Sequence, residues 1–492
     1  MAKADVITIG AGFAGLSAAT NLAHSGKSVI LLEKNNQMGG RARSFNAEGF
    51  TFDMGPSWYW MPDVFESYFS LFGKQVSDFY DLVRLDPSYR IFFGKDDFID
   101  VPASYDDLRN LFNAHEPGSA DRLDRFMREA EYKYRVGMSD FVFKPGHSLT
   151  EFVDARVFRS VFRLQMLTSL SKHVESLFRN EKLRQLLKFP VLFLGATPEN
   201  TPALYSLMNY ADLKMGTWYP MGGMHKIVEA MEEVARDAGV EMLPNHAVNQ
   251  FNVPNGHVKE VITDQGTFNG KYIVAAGDYH HMEQRLLPEH SRTYSDDYWQ
   301  KRTMAPSSLL FYLGVDKKLD NLHHHNLFFD EDFNQHAREI YQDPQWPQSP
   351  LFYVCCPSKT DPSVAPEGKE NVFILIPVAP GLEDDEAQRE KYYDIVMDRL
   401  EKLTGQKVKE HVIYKRSYAH KDFMNDYHAF KGNAYGLANT LRQTAILKPK
   451  LKSKKVNNLY FTGQLTVPGP GVPPSLISGR VVAREVNKAF QH

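Results

Sequence analysis

The first apolar run and the glycine turn behind it constrain the fold more than any other part of this chain. The run ends in Gly10, Gly12 and Gly15. A second apolar run, 29–32, ends in the acid Glu33. A strand, a glycine turn, a helix, a strand and an acid within about 30 residues form the dinucleotide-binding fingerprint in its required context. The sequence therefore predicts a βαβ unit that binds a nucleotide cofactor.

Each residue of the fingerprint has a predicted role. Gly10 permits the tight turn, Gly12 lets the backbone reach the pyrophosphate, and Gly15 lets the helix pack closely. The pyrophosphate would sit on the helix N-terminus, where free N–H groups and the dipole favour negative charge. Glu33 would accept a hydrogen bond from a ribose hydroxyl, and the helix is predicted to end at Gly26. The fingerprint alone does not separate FAD from NAD.

Two glycines and two arginines follow the ribose acid closely, in residues 38–43. They suit a second approach of the backbone to a long, doubly phosphorylated cofactor, and Arg41 or Arg43 would meet phosphate. A solvated basic turn is the alternative. Asp53 is interpreted as a buried acid that holds a turn. The aromatic segment 57–62 would be either a loop beside the cofactor or a packed turn of the core.

These motifs resemble the N-terminus of the flavoprotein amine-oxidase superfamily, and within it the bacterial carotenoid (phytoene) desaturases. Gly39-Gly-Arg-Ala and Phe52-Asp-Met-Gly-Pro56 carry the resemblance together with the fingerprint. Near the C-terminus, 458–463 and 468–473 resemble the stretch by which these desaturases close over the flavin. The resemblance implies an FAD-dependent oxidoreductase that converts phytoene stepwise to a more conjugated carotene such as lycopene by hydride transfer to flavin.

The resemblance also implies which residues bind the FAD. No catalytic residue is predicted, because the flavin carries the hydride step and neither a GxSxG nor an HExxH motif occurs. The predicted cofactor-binding residues are Gly10, Gly12, Phe13, Ala14, Gly15, Glu33, Lys34, Gly40, Arg41, Ala42, Gly55, Pro56, Ser57, Val248, Gly463, Gln464, Gly471, Val472 and Pro473.

The predicted fold is α/β, with a Rossmann-like, discontinuous FAD-binding domain, a mixed-sheet substrate domain and a helical subdomain. A chain of 492 residues exceeds a single core, so several domains are expected. The FAD-binding domain is assigned to 1–80, 215–294 and 430–492. The substrate domain is assigned to 81–103 and 295–429, and the helical subdomain, which could face a membrane, to 104–214.

Composition and charge restrict the classes of partner and the cellular location that we expect. With 57 basic and 60 acidic residues, the net charge of −3 gives no reason to expect nucleic acid. The adjacent Cys355 and Cys356 suit neither a disulfide framework nor a CxxC pair, and we interpret them as buried residues in a reducing compartment. No signal peptide and no run of about 18 apolar residues is present. The predicted location is cytoplasmic, with peripheral association to the cytoplasmic membrane.

Two further sequence patterns concern metal binding and the electron acceptor. His323, His324 and His325 are adjacent, and on a strand such neighbours point to opposite faces, so no metal site is predicted. A second GxGxxG after a strand is absent, which removes the sequence mark of a separate NAD(P)H domain. A quinone or oxygen is therefore the expected electron acceptor, and the expected substrate is a long apolar polyene.

Departures from the desaturase pattern leave the substrate open. They are the lead into the Pro-Gly segment at 463–467, the segment Gly436–Asn439, and the pair Pro473-Pro474. The alternatives are a flavin-dependent carotenoid isomerase and a late-pathway desaturase of a hydroxylated carotenoid. A flavin-free lipid-binding module is a third, but Glu33 and Arg41 make sense only around a cofactor.

The segment 155–167 predicts how the protein would meet lipid. Its arginines and phenylalanines suit a basic amphipathic helix on an anionic membrane, although a helix on the protein's own core is the alternative. Replacing Arg156, Arg159 and Arg163 by neutral residues should release the protein from anionic vesicles in a flotation assay. Equal binding by the variant would place this helix on the core or on a solvated face.

Overall fold

The computed structural model describes residues 2–148, 165, 168–194, 197–440 and 443–491. Its strands are β1 (Ala2–Ile9), β2 (Val29–Leu32), β3 (Ser44–Ala47), β4 (Phe50–Asp53), β5 (Leu82–Arg84), β6 (Tyr89–Gly94), β7 (Asp97–Val101), β8 (Trp218–Pro220), β9 (Glu241–Leu243), β10 (Val248–Asn252), β11 (Glu260–Thr263), β12 (Thr267–Ala275), β13 (Ser307–Val315), β14 (His325–Phe328), β15 (Phe352–Cys355), β16 (Glu370–Val378), β17 (Val412–Tyr418) and β18 (Leu459–Phe461).

The α-helices alternate with these strands along the chain. They are α1 (Phe13–His24), α2 (Pro62–Ser70), α3 (Tyr105–His115), α4 (Ser119–Val136), α5 (Leu170–Leu177), α6 (Glu181–Lys188), α7 (Leu207–Leu213), α8 (His225–Asp237), α9 (Tyr279–His281), α10 (Asp296–Gln300), α11 (Phe333–Tyr341), α12 (Glu386–Thr404), α13 (His420–Tyr427) and α14 (Val472–Phe490).

The first sheet carries the predicted βαβ unit. Its strand order is β10-β11-β12-β1-β2-β9, and β18 also pairs with β12. Strand β1 runs parallel to both β2 and β12. Along β1, Val6 belongs to one buried cluster, whereas Ile7 and Ile9 belong to a different one. Both faces of this sheet are therefore covered, as expected for parallel strands that are continuously apolar.

The second sheet is mixed, with strand order β17-β13-β16-β15-β14-β6-β7. Strands β14 and β6 are parallel, and the other neighbours are antiparallel. On β13, Phe311 belongs to a core that includes Val396 and Met397 of α12. Tyr312, on the opposite face of β13, belongs to the cluster shared with the first sheet and its helices. The predicted α/β class with a mixed second sheet is confirmed.

Helices α1 and α14 approach each other closely at Gly479. A Cβ placed on Gly479 of α14 would lie 2.3 Å from the carbonyl oxygen of Ala14 and 2.7 Å from the Cβ of Ser17. The Ser17 hydroxyl donates to the Leu476 carbonyl at 2.8 Å. Helix α1 ends at His24, and Gly26 follows with a φ of +80° as predicted. Helix α14 therefore packs tightly against α1.

Several expectations from the sequence can be compared with the described residues. Strand β14 begins at His325, so the strand-alternation argument does not apply to His324. Both cysteines are buried and free, as predicted. The segment 155–167, apart from residue 165, lies outside the described residues. Within the described ranges, no helix combines the length and apolar character that crossing a bilayer requires.

The α1–α14 contact predicts a destabilising glycine substitution. Gly479→Ala should lower the free energy of unfolding by about 2–3 kcal/mol, because its methyl group overlaps backbone atoms of α1. Thermal unfolding of the purified apoprotein measures the effect. The matched control is Gly137→Ala, since a Cβ there meets only Leu207 at 3.6 Å. Equal melting temperatures for the two variants would contradict the close contact.

Candidate functional site

The site is a cavity of about 380 Å³ at the carboxyl ends of β1 and β2. We call it the central cavity. It lies where ligands bind in open α/β sheets, outside the carboxyl ends of the strands. Its walls come from the segments 9–14, 32–35, 39–42, 54–58, 276–282, 426–428, 463–465 and 470–475, with further side chains from 60–61, 208, 246–248, 308–310, 353, 375, 423 and 434–435.

The three fingerprint glycines serve three different purposes. Gly10 has a φ of +94°, which a glycine adopts without strain, and its N–H donates to the Leu32 carbonyl at 2.7 Å. A Cβ on Gly12 would meet no protein atom within 4 Å, so the backbone is open there. A Cβ on Gly15 would lie 1.8 Å from the Gly10 carbonyl oxygen. Gly15 therefore acts through packing, and of the predicted cofactor residues it is the one outside the cavity wall.

Glu33 links the glycine turn to the end of β2. One carboxylate oxygen accepts the Ala11 N–H at 2.8 Å, and the other accepts both the backbone and the side-chain amide of Asn35 at 2.9 Å. The residue is 5% exposed and lines the central cavity. Each carboxylate oxygen has two acceptor positions, so the oxygen bonded to Ala11 keeps one for a ligand hydroxyl.

The two arginines behind the turn separate into different roles. Arg43 forms an ion pair with Asp426, and its Nη2 donates to the Tyr427 hydroxyl at 3.2 Å. Arg41 lines the cavity, and its Nη2 donates to the Asn433 carbonyl at 3.3 Å. The Arg41 Nε is buried and has no hydrogen-bond partner, and burial lowers the pKa of this guanidinium. Of the two predicted phosphate contacts, only Arg41 lines the cavity.

Other predicted residues reach the cavity from three separate stretches. Residues 55–57 follow β4, Val248 begins β10, and 463–464 follow β18. Gly463 has a φ of +110°, and its N–H donates to the Ser478 hydroxyl at 3.1 Å. The first turn of α14 supplies Val472 and Pro473. The N-termini of α1 and α14 therefore both open onto the cavity.

Asp53 has the structural role that the sequence predicts. Its carboxylate accepts the backbone N–H groups of Met224 at 2.7 Å and His225 at 2.9 Å. These N–H groups belong to the start of α8, where a carboxylate is favourable. Burial raises the pKa of Asp53 to about 6. The acid holds α8 in place and does not line the central cavity.

The segment 423–428 also contributes, and sequence reasoning missed it. Tyr427 lies under the Arg41 guanidinium, 4.9 Å from its carbon to the ring centroid. The His428 ring stacks on His281 at 3.8 Å between ring centroids, and Lys34 contacts the Asn425 carbonyl and His428. The sequence carries no motif here, because α13 follows a strand of the second sheet and reaches the cavity only through the tertiary fold.

A largely apolar wall faces the second sheet. Trp58 stacks on His325 at 4.1 Å between ring centroids, and both Trp58 and Trp60 line the central cavity. A second cavity of about 60 Å³ shares Tyr353, Leu375 and Tyr435 with it. That second cavity has a predominantly apolar wall, which includes Phe189, Leu327, Phe329, Phe333 and Ile340. Together the two cavities suit a cofactor with phosphates beside an apolar ligand.

Comparison with known proteins gives consistent matches. Residues 13–487 match the family of flavin containing amine oxidoreductases. The chain is 43% identical over 481 residues to the carotenoid 3,4-desaturase of Haloarcula japonica, covering 97% of each chain. It is 29% identical to the zeta-carotene-forming phytoene desaturase of Myxococcus xanthus, covering 98% of this chain and 93% of that one. An oxidoreductase structure from Methanosarcina mazei aligns with a TM-score of 0.62 at 18% identity, covering 98% and 100%.

Replacing Glu33 is expected to weaken cofactor binding and to destabilise the apoprotein. Glu33→Ala removes hydrogen bonds to a charged acceptor, which contribute about 1.5–3 kcal/mol each. Dinucleotide affinity should fall at least about tenfold, and the apoprotein should melt at a lower temperature. Gly12→Ala should lower affinity while the apoprotein keeps its melting temperature, because the added methyl group enters the open cavity. Fluorescence titration and thermal unfolding measure the two quantities, and unchanged affinity in Glu33→Ala would contradict the assignment.

Proposed function

Since this chain belongs to the flavin-containing amine oxidoreductases, and within them to the carotenoid desaturases, we propose that it forms the C3–C4 double bond of an already conjugated carotenoid. The identity of 43% to a carotenoid 3,4-desaturase over nearly the whole chain carries this proposal. The cofactor is FAD. The substrate would be a late-pathway carotenoid, with or without a hydroxyl group.

We propose that the predicted cofactor residues at the central cavity hold the FAD. The N-terminus of α1 and the Arg41 guanidinium offer donors to the phosphates, and Glu33 keeps an acceptor position for a ribose hydroxyl. Gly12 leaves space that any side chain would fill. These features fit a dinucleotide. The proposed FAD-binding domain is 1–80, 215–294 and 430–492, as the sequence predicts.

The remaining cavity wall suits the polyene. When bound, FAD accepts a hydride from one carbon of the substrate, and the neighbouring carbon then loses a proton to complete the double bond. Trp58, Trp60 and Leu375 line an apolar space that excludes water and orients the chain. A weak base suffices for the proton, because the positive charge on the substrate is delocalised over the conjugated system. A quinone or oxygen would reoxidise the flavin.

Peripheral contact with the cytoplasmic face of a membrane is part of this proposal. Exposing apolar surface costs about 0.8 kcal/mol per methylene group, so a carotenoid is expected to pass directly from bilayer to protein. The apolar cavity that adjoins the central one supports such a route. A location in the cytoplasm with peripheral attachment follows from the proposal.

The second candidate is stepwise desaturation of phytoene. It is favoured by the identity of 29% to a phytoene desaturase over almost the full length of both chains. The two reactions share the flavin chemistry and differ in the substrate. Phytoene desaturation creates conjugation, whereas 3,4-desaturation extends conjugation that is already present.

A parallel substrate assay separates the two candidates. FAD-loaded protein is incubated anaerobically in liposomes with phytoene, lycopene or a hydroxylated carotenoid. We expect flavin bleaching and a longer-wavelength polyene product with a conjugated substrate and neither with phytoene. The Gly12→Ala variant without FAD serves as the inactive control. Bleaching only with phytoene would replace the proposal by its alternative, and a change of double-bond geometry without bleaching would indicate an isomerase.

A further inference from the structure

Three buried side chains meet behind the wall of the central cavity. The ligand atoms of His324, His325 and Cys355 lie within 4.8 Å of one another. His325 and Cys355 are paired residues of the antiparallel strands β14 and β15. His324 precedes β14, so its side chain need not alternate with that of His325. Two imidazoles and a thiol thus converge among buried residues.

Each imidazole is held through one nitrogen and free at the other. His324 Nδ1 lies 2.8 Å from the Thr360 hydroxyl, and His325 Nδ1 lies 2.6 Å from the Tyr353 hydroxyl. The Nε2 atoms of both rings are buried without a hydrogen-bond partner. Metal-binding histidines show this arrangement, in which the second ring nitrogen is fixed by a neighbour and the first is left for the ion.

A small cavity and two acidic side chains lie close to this cluster. A small cavity of about 20 Å³ is lined by His324, Cys355 and the buried Asp53. The Tyr219 ring packs on His324 at 4.6 Å between ring centroids, and the Tyr219 hydroxyl donates to the Asp361 carboxylate at 3.4 Å. A cavity of this size holds one water molecule. The cavity therefore offers room for one solvent ligand beside the three protein ligands.

We propose that His324, His325 and Cys355 bind a zinc ion, with water in the small cavity as the fourth ligand. Imidazole and thiolate ligands suit zinc, and on binding the Cys355 thiol releases its proton to solvent. Ligand atoms around tetrahedral zinc lie about 3.3–3.8 Å apart. Side-chain rotations that close the observed spacing by about 1 Å complete the site.

The ion would act on the wall of the central cavity. His325 stacks on Trp58 and contacts Tyr353, and the Tyr353 hydroxyl donates to Ser57 at 3.1 Å. Zinc would tie β14 to β15 and fix these three wall residues. This role is structural and independent of the proposed carotenoid chemistry.

Metal analysis of the wild-type protein is the first test. Tag-free holoprotein is treated with chelator, dialysed against Zn²⁺ and then against buffer, and measured for metal. We expect about one zinc per chain. Zinc-edge X-ray absorption should show one sulfur at about 2.3 Å and nitrogen or oxygen neighbours at about 2.0–2.1 Å. Absence of retained zinc, or a ligand shell without sulfur, overturns the proposal.

The sequence provides matched controls beside each ligand. His323 contacts Asp100 at 3.5 Å, and Cys356 contacts Ser358 and Glu370, so neither belongs to the cluster. His324→Ala and Cys355→Ala should lose the zinc, whereas His323→Ala and Cys356→Ala should retain it. Equal loss in the controls overturns the assignment. If a ligand variant fails to fold, the X-ray absorption result on wild-type protein still decides.

Discussion

Two close approaches to α1, one inside it at Gly15 and one onto it at Gly479, are the constraint on which the rest of this structure depends. Gly15 allows α1 to start directly above the turn after β1, and Gly479 allows α14 to lie directly on α1. Because α1 is held from both sides, its N-terminus opens onto the central cavity. The first turn of α14 is carried to the same cavity by the same contact. Dispersion between closely packed atoms contributes to the stability of this interface.

The polar residues near the cavity have two roles. Some fix segments of the backbone through hydrogen bonds and ion pairs, and others can bind a ligand. Glu33 and Asp53 accept backbone N–H groups and fix the glycine turn and α8. Arg43 neutralises Asp426 and thereby holds the segment that carries Tyr427. Arg41 lies on that tyrosine and keeps a free Nε. A ligand with phosphates thus meets a cationic group whose position is already set, which reduces the entropy lost on binding.

The sequence predicted those parts of the site whose geometry is local. Gly10, Gly12 and Glu33 lie within one βαβ unit, where spacing determines position. Asp53 was predicted as a buried acid, but its partners at the start of α8, Met224 and His225, are supplied by the tertiary fold. The sequence did not choose between Arg41 and Arg43, because the choice depends on Asp426 far along the chain. Strand alternation was the wrong rule for His324, since β14 starts one residue later. The His281–His428 stack and the Tyr427 ring needed the tertiary fold, which no local pattern encodes.

The position of α14 in the chain has a consequence for biosynthesis. Domains usually begin to fold from the N-terminus while the ribosome is still adding residues. The surface of α1 that receives Gly479 stays uncovered until residues 472–490 have left the ribosome. During translation the nascent chain therefore carries an apolar helix face and an incomplete nucleotide pocket. The nucleotide pocket can therefore be completed only after the residues of α14 have been synthesised.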